Sequence, residues 1–403
     1  MKVVIASGGR FWSQHLAHQL EMRHALEKLI TFSYTKNDRN YVSPQLVTNI
    51  TRCALIDKGI ELSRLTRFVS ASRINLIKDT IFDHALTSQL DNFGLFDIFV
   101  GWANYFSHSV PAIRSHGATI ILESGSCHIT TQQLLLEHEY RSLGLSFTPI
   151  NKKNRERMLR EYDAADYIMN LSAFSRDSFI AQGIPRDKVL YVPCGTNISY
   201  FNERTPVQRS TKFRVIFVGL MQVRKGVHHL IKAWQKLQLP EDKAELLLVG
   251  NLHKDMAQVL AQTTLPKSIK LVGAVSQAEL RDLYQSSSLF VLPSIEDGFG
   301  MVIGEAMASR LPILTTTQAG GQELITEGEE GFVVPAGNAD ALAEKISWFY
   351  NNQEAAQAMG SAAHKTIQHH SWDEYGEQMY ATYQQVLRKG SLATSHCSNL
   401  WAK

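Results

Sequence analysis

Short apolar runs that stop at a glycine or proline and lead toward helical stretches recur along the chain, and this pattern restricts the fold more than any other feature. Val3 to Ala6 runs into Ser7, Gly8, Gly9 and Arg10. In the second half, Arg214 to Val218 stops at Gly219, Glu245 to Val249 at Gly250, Ile269 to Val272 at Gly273, and Leu289 to Leu292 at Pro293. Runs this short and this apolar read as strands covered on both faces, the condition of a parallel sheet. Strands alternating with helices predict an α/β architecture whose ligand groups gather beyond the carboxyl ends of the strands.

A chain of 403 residues exceeds one ordinary core, so two domains are expected. The segment from Pro193 to Lys212, rich in Pro, Gly, Asn, Thr and Ser, reads as the link between a first domain over 1–195 and a second over 213–370. Helical stretches are expected over about Trp12–Leu29, Ser107–His116, Gln132–Tyr140, after Asn151 to near Ala165, Ala173–Gln182, Val227–Leu237, Gln277–Gln285, Ala339–Phe349 and Trp372–Leu387, with further irregular helical stretches between Asn37 and Asn92. The last, about 372–390, is expected to pack back on the first domain.

Cys53, Cys127, Cys194 and Cys397 show no CxxC spacing, so neither a zinc cluster nor a disulfide framework is suggested, and a reducing cytoplasm is the expected home. His15 and His18 form an HxxH pair without a third ligand at usable spacing and read as ordinary helix histidines. The N-terminus lacks the form of a signal peptide, and no apolar run has membrane-spanning length. Basic residues are locally concentrated, with 12 Lys plus Arg against 6 Asp plus Glu from Met1 to Thr80 and a second cluster from Lys152 to Arg160. A solvated face explains such clusters, and so does peripheral contact with anionic lipid at the inner membrane surface. No nucleic-acid partner is expected.

The densest chemistry lies in LFVLPSIEDGFGMVIGEAM, Leu289 to Met307. It reads as strand, glycine-containing loop and helix start, with Asp297 and Glu305 at the mouth. A helix start attracts anions, whereas carboxylates accept from vicinal hydroxyls, so a compound joining sugar to phosphate fits both. The alternative is a loop whose Asp297 caps the helix. In the first half, Glu123, Ser124, Gly125, Ser126, Cys127 and His128 form a polar cluster after a strand. Glu123 and Ser126 are candidates for the acceptor side, and His128 is either a site residue or a capping and packing histidine. Gly8 and Gly9 allow a substrate near the backbone, but without GxGxxG a dinucleotide dehydrogenase is disfavoured.

The second half resembles the nucleotide-sugar-dependent glycosyltransferases of the GT-B fold, specifically the retaining family four (glycosyl transferases group 1). The residues that carry this are FVGLMQVRKGVHHLIKAW, LLLVGN, LVGAVSQAELRDLYQSSSLFVLPSIEDGFGMVIGEAMASRLPILTT and GQELITEGEEGFVVP. The first half is similar mainly in organisation, through the SGG turn, the ESGSCH cluster and YDAADYIMNLSAFSRDSF. The resemblance implies two Rossmann-like domains facing across a cleft and transfer from a nucleoside-diphosphate sugar to a saccharide, lipid-linked or small-molecule acceptor. It places Lys225 and Arg224 on the donor diphosphate, Asp297 at the first Glu of the EX7E motif on donor-sugar hydroxyls, and Glu305 on the ribose. Gly219, Gly250, Val275 and the backbone of Phe299, Gly300 and Met301 complete the donor side, and His128 faces the donor sugar. Two departures stand out: Leu220 replaces the family's usual Arg, and Asp297 is one methylene shorter than Glu. No DxD metal motif is present, so no metal or other cofactor is expected, and Arg224, Lys225 and the N–H groups of Gly300 and Met301 would stabilise the leaving group. Rival readings are a nucleotide-sugar epimerase or phosphorylase on the same fold and a non-catalytic sugar-nucleotide-binding scaffold.

Overall fold

A computed structural model of the chain describes residues 1–9, 11–35, 38–39, 41–50, 71–147, 150–203 and 210–398. Arg10, part of the basic segment before Thr80 and part of the segment between Pro193 and Lys212 lie outside the described residues.

The first sheet contains β1 (Val3–Ser7), β2 (Leu26–Thr31), β3 (Val47–Asn49), β4 (Ile98–Trp102), β5 (Thr119–Ser124), β6 (Tyr167–Asn170) and β7 (Val189–Tyr191), in the order β3-β2-β1-β4-β5-β6-β7. The second contains β8 (Phe213–Val218), β9 (Ala244–Val249), β10 (Ile269–Gly273), β11 (Leu289–Leu292), β12 (Ile313–Thr316) and β13 (Gly331–Val334), in the order β10-β9-β8-β11-β12-β13. Every pairing is parallel. Alternate residues of β1 enter opposite cores: Val3 and Ile5 pack on one face of the first sheet, Val4 and Ala6 on the other. This two-sided burial is why β1, β4 and β11 are almost wholly apolar, whereas the edge strand β10 is exposed over Lys270–Val272.

Helices α1 (Ser13–Met22), α2 (Ala71–Leu90), α3 (Val110–Ser115), α4 (Ile129–Ser142), α5 (Lys152–Ala164) and α6 (Ala173–Ala181) accompany the first sheet. Next come α7 (Ile198–Asn202), α8 (Val227–Leu237), α9 (Lys254–Ala261), α10 (Gln277–Gln285), α11 (Met301–Ala308), α12 (Ala339–Asn351), α13 (Gln353–Ile367) and α14 (Trp372–Ser398). Tyr375, Met379, Tyr383 and Val386, spaced three or four residues apart on α14, enter the core that holds Val3, Ile5 and Leu16. No helix among the described residues is long and apolar enough to cross a membrane.

The helix expected over Trp12–Leu29 ends early. His24 turns into the left-handed region at φ 53°, and Leu26–Thr31 pairs with β1 as β2. Leu26, Leu29 and Ile30 suit a helical face and a strand alike, and long-range pairing with β1 decides between them. The Pro193–Lys212 segment is likewise more than a link, since it carries α7, whose Phe201 is buried in the second core. Helices α9 and α13 have no counterpart among the expected stretches.

Candidate functional site

Each sheet reverses its strand order once, between β1 and β4 and between β8 and β11, and open α/β sheets bind ligands at such points. At the second reversal, the loop after β8 supplies Arg224 and Lys225, and the loop after β11 supplies Glu296 and Asp297. The backbone joins these loops, as the N–H groups of Ile295 and Glu296 donate to the Arg224 carbonyl at 2.9 and 3.3 Å. Side chains then pair charge with charge. Arg224 Nε lies 2.6 Å from Glu296 Oε2, and the Lys225 ammonium meets the Asp297 carboxylate.

Glu296 is the hub of the junction, although the resemblance places the sugar-contacting role on its neighbour Asp297. It is fully buried and also accepts from the Gln132 side chain at 2.9 Å and the Cys127 N–H at 3.1 Å, both from the first domain. Burial pushes its pKa up, but the Arg224 charge and these donors outweigh burial and hold it below the usual carboxylate range. Ser126 belongs to the same junction, its hydroxyl accepting from Arg224 at 3.2 Å. Close backbone approach completes the contact: a Cβ on Gly298 would fall 2.2 Å from the Gly125 carbonyl oxygen, so only glycine fits.

His128 takes the capping position of α4. Its Nδ1 accepts from the Thr130 N–H at 3.2 Å, and the ring packs between Tyr162 and Phe179. Burial, aided by Arg155, lowers its pKa to about 4. A neutral ring with an accepting Nδ1 carries its proton on Nε2, leaving that atom as a hydrogen-bond donor. Glu305 accepts from the Tyr284 hydroxyl at 3.0 Å, and burial raises its pKa to about 7.

Several expected positions fall elsewhere. Glu123 is fully buried beside Trp12, with Tyr375, Tyr383 and Cys194 near enough to feel its charge. Burial lifts its pKa to about 8, so it is a protonated core group at neutral pH and not an acceptor-side carboxylate. Gly8 is covered: a Cβ there would fall 1.8 Å from the Tyr105 ring, so its missing side chain admits Tyr105 and not a ligand, while Gly9 lies against Phe11. The N–H groups of Gly300 and Met301 already donate to the carbonyls of Gly320 and Phe299, at 2.7 and 3.1 Å, because the loop tightens before α11. The Phe299 side chain packs on the first domain's core, and Met301 is exposed. Gly219 and Gly250 hold the loop ends of β8, β9 and β10 together, their N–H groups donating to Val249 and Gly273. Val275 packs on the second core and lines a depression with Arg214, Leu283 and Ser286. His15 stacks on Trp372 at 3.8 Å.

The arrangement therefore offers two cations and two carboxylates on adjoining loops, capped by the first domain's Ser126 and Cys127. A separate cavity of about 280 Å³, lined by Lys212, Ser287 and Arg310 among others, lies at the opposite, amino-terminal ends of the second sheet's strands.

Residues 201–366 match the family model of the glycosyl transferases group 1. The capsular polysaccharide biosynthesis glycosyltransferase CapM of Staphylococcus aureus is 30% identical over 180 residues, 42% of this chain and 46% of that protein. The phosphatidyl-myo-inositol mannosyltransferase of Mycobacterium leprae is 26% identical over 205 residues, 50% of this chain and 54% of that protein. The chain spans about half the length of the curated relatives it matches. Among solved structures, Anabaena HepE in complex with UDP-glucose aligns over 96% of this chain and 100% of its own, with a TM-score of 0.65 at 16% identity. The second domain is thus similar to the glycosyl transferases group 1, and the chain as a whole adopts the two-domain GT-B fold.

Proposed function

We propose that the protein is a retaining glycosyltransferase that moves a sugar from a nucleoside-diphosphate sugar to a saccharide or lipid-linked acceptor, in polysaccharide or glycoconjugate synthesis. The observation that carries this is the junction of Arg224 and Lys225 with Glu296 and Asp297 at the second strand reversal. HepE, bound to UDP-glucose, supports the donor class, and the named transferase relatives support the reaction type.

Without donor, Lys225 is neutralised by Asp297. A donor diphosphate draws the ammonium away and frees the Asp297 carboxylate to accept from sugar hydroxyls. Arg224 stays tethered to buried Glu296 and presents its remaining donors toward the phosphates, compensating for Leu220 in the place of a second Arg. With the donor bound, the two cations on one loop stabilise the leaving diphosphate without a divalent ion, because both are in place before the bond breaks. Glu305 accepts from the ribose, and His128 donates from Nε2 to the donor sugar. The bond from the anomeric carbon to the diphosphate breaks, the acceptor oxygen bonds to that carbon on the same face, and the departing phosphate takes the acceptor's proton. The place of Glu123 in the core argues against a carboxylate nucleophile from that strand end.

The test is a thermal-shift screen against nucleoside diphosphates and their sugars, followed by transfer assays with the preferred donor. A ligand that binds only the folded state raises the midpoint with the logarithm of its concentration over Kd. Binding without hydrolysis or transfer to any acceptor would favour the scaffold reading instead.

A further inference from the structure

Away from the diphosphate loops, Glu139 on α4 of the first domain meets His228 and His229 at the start of α8 in the second. Both Nε2 atoms converge on one carboxylate oxygen, Glu139 Oε1, at 2.6 and 2.7 Å. The three donor atoms lie within 4.8 Å of one another. His228 is 8% exposed, and its Nδ1 is buried without a hydrogen-bond partner.

That orphaned nitrogen is informative. If both imidazoles donate from Nε2 to the same oxygen, His228 keeps an unsatisfied acceptor inside the protein, at a desolvation cost. If Nδ1 carries the proton, the Nε2 lone pair faces a carboxylate oxygen, and a metal ion or a proton between them removes the repulsion. We propose that Glu139, His228 and His229 form a binding site for a zinc-class divalent cation that pins the two domains together.

The donor set suits this chemistry. Two imidazole nitrogens and one carboxylate oxygen match the ligand preference of Zn²⁺ and leave a fourth tetrahedral position for water. With Zn–N and Zn–O near 2.0–2.2 Å, tetrahedral donors sit about 3.3 Å apart, so each Nε2–Oε1 pair opens by roughly half an ångström, a side-chain adjustment.

The groups facing the cluster act on a cation in opposite directions. The amino terminus of α8 opposes a cation. Asp255 on α9 favours one, since its charge reaches His228 while its carboxylate accepts from the Tyr140 hydroxyl and pairs with His253. One ligand comes from the first domain and two from the second, so an ion bound by all three stabilises the closed pair. The site is independent of the transferase reading.

The experiment titrates chelator-stripped full-length protein with ZnCl₂ by calorimetry, with MgCl₂ as the hard-cation control. Zinc should bind one per chain and raise the melting midpoint, and magnesium should not. Glu139→Gln and His229→Ala, the latter at a partly exposed position, should each weaken zinc roughly tenfold or more, while His15→Ala leaves it unchanged. Cobalt(II) bound to the unaltered protein should show visible bands that His229→Ala abolishes, a readout that does not depend on how stable the variants are. Absence of zinc binding, or binding equally tight in both cluster variants, overturns the site. Zinc binding with no change in small-angle scattering or in protection at the domain junction overturns its role as a clamp.

Discussion

At the reversal of the second sheet the loop residues are charged, paired across the two loops and turned toward the junction: Arg224 with Glu296, Lys225 with Asp297. The polar residues of the first sheet's carboxyl ends serve mostly the fold. Glu123 lies in the core, His128 caps α4, and Glu161 on α5 accepts from the N–H groups of Asn104, Phe106 and Ser107. Two sheets of one architecture thus divide the work. The second carries the paired charges on its loops, and the first supplies a wall that touches them through Ser126, Cys127 and Gln132. The family match over 201–366 falls on the charged half.

Glu296→Gln strikes the point where the halves meet. Glu296 is buried, but Arg224 is 26% exposed and still feels Asp297, so removing the carboxylate's charge should cost about 1–3 kcal/mol of stability, read from denaturant midpoints. A loss below about 1 kcal/mol would make the junction an ordinary surface pair. Lys225→Ala should lower kcat/KM roughly 100-fold or more, the loss seen when one fixed charge-stabilising donor is removed. Unchanged turnover and donor affinity would strip Lys225 of its assigned role.

Glu305 should make donor binding depend on pH. With a folded pKa of about 7, its ionised fraction rises from about one tenth at pH 6 to about nine tenths at pH 8, so affinity should improve up to roughly tenfold. The Glu305→Gln variant should bind with a flat profile, and a variant that keeps the slope would assign it to another group. The linked stability has the opposite sign. A carboxyl whose pKa is raised on folding contributes most at pH values below its ordinary range and loses that contribution as pH rises through the folded value.

Glu123→Gln should have the smallest effect on chemistry, with turnover within about twofold of the unaltered protein. Its signature lies in stability. Glu123 has a folded pKa of about 8, so the unaltered protein loses stability from about pH 4.5 to 8, and the variant should be the more stable of the two at pH 8 but not at pH 5. A collapse of turnover in this variant would erase the contrast between the halves by returning a reactive carboxylate to the first.

Much of the second half was legible because its signals are local. A short apolar run can lie only in a buried strand or helix, and a glycine after it marks a turn, so β8, β9, β10 and β11 and the loops that hold Lys225 and Asp297 follow from the residues themselves. The first half was less legible where Leu26–Thr31 suits helix and strand equally and only pairing with β1 chooses. Glu296 shows the same limit within the site. Beside Asp297 it is one carboxylate among two, and nothing local marks it as the one enclosed by Arg224, Gln132 and Cys127.

The sequence by itself determined the α/β class, the two-domain plan and the loop that carries the charges, since each depends on neighbours a few residues apart. Tertiary structure decided which of those groups remain available to a ligand. It sent Glu123 into the core, engaged the N–H groups of Gly300 and Met301, filled the space above Gly8 with Tyr105, and brought Glu139 to His228 and His229. Burial, pKa and pairing are properties of what surrounds a side chain, and those surroundings come from segments that lie far apart along the chain.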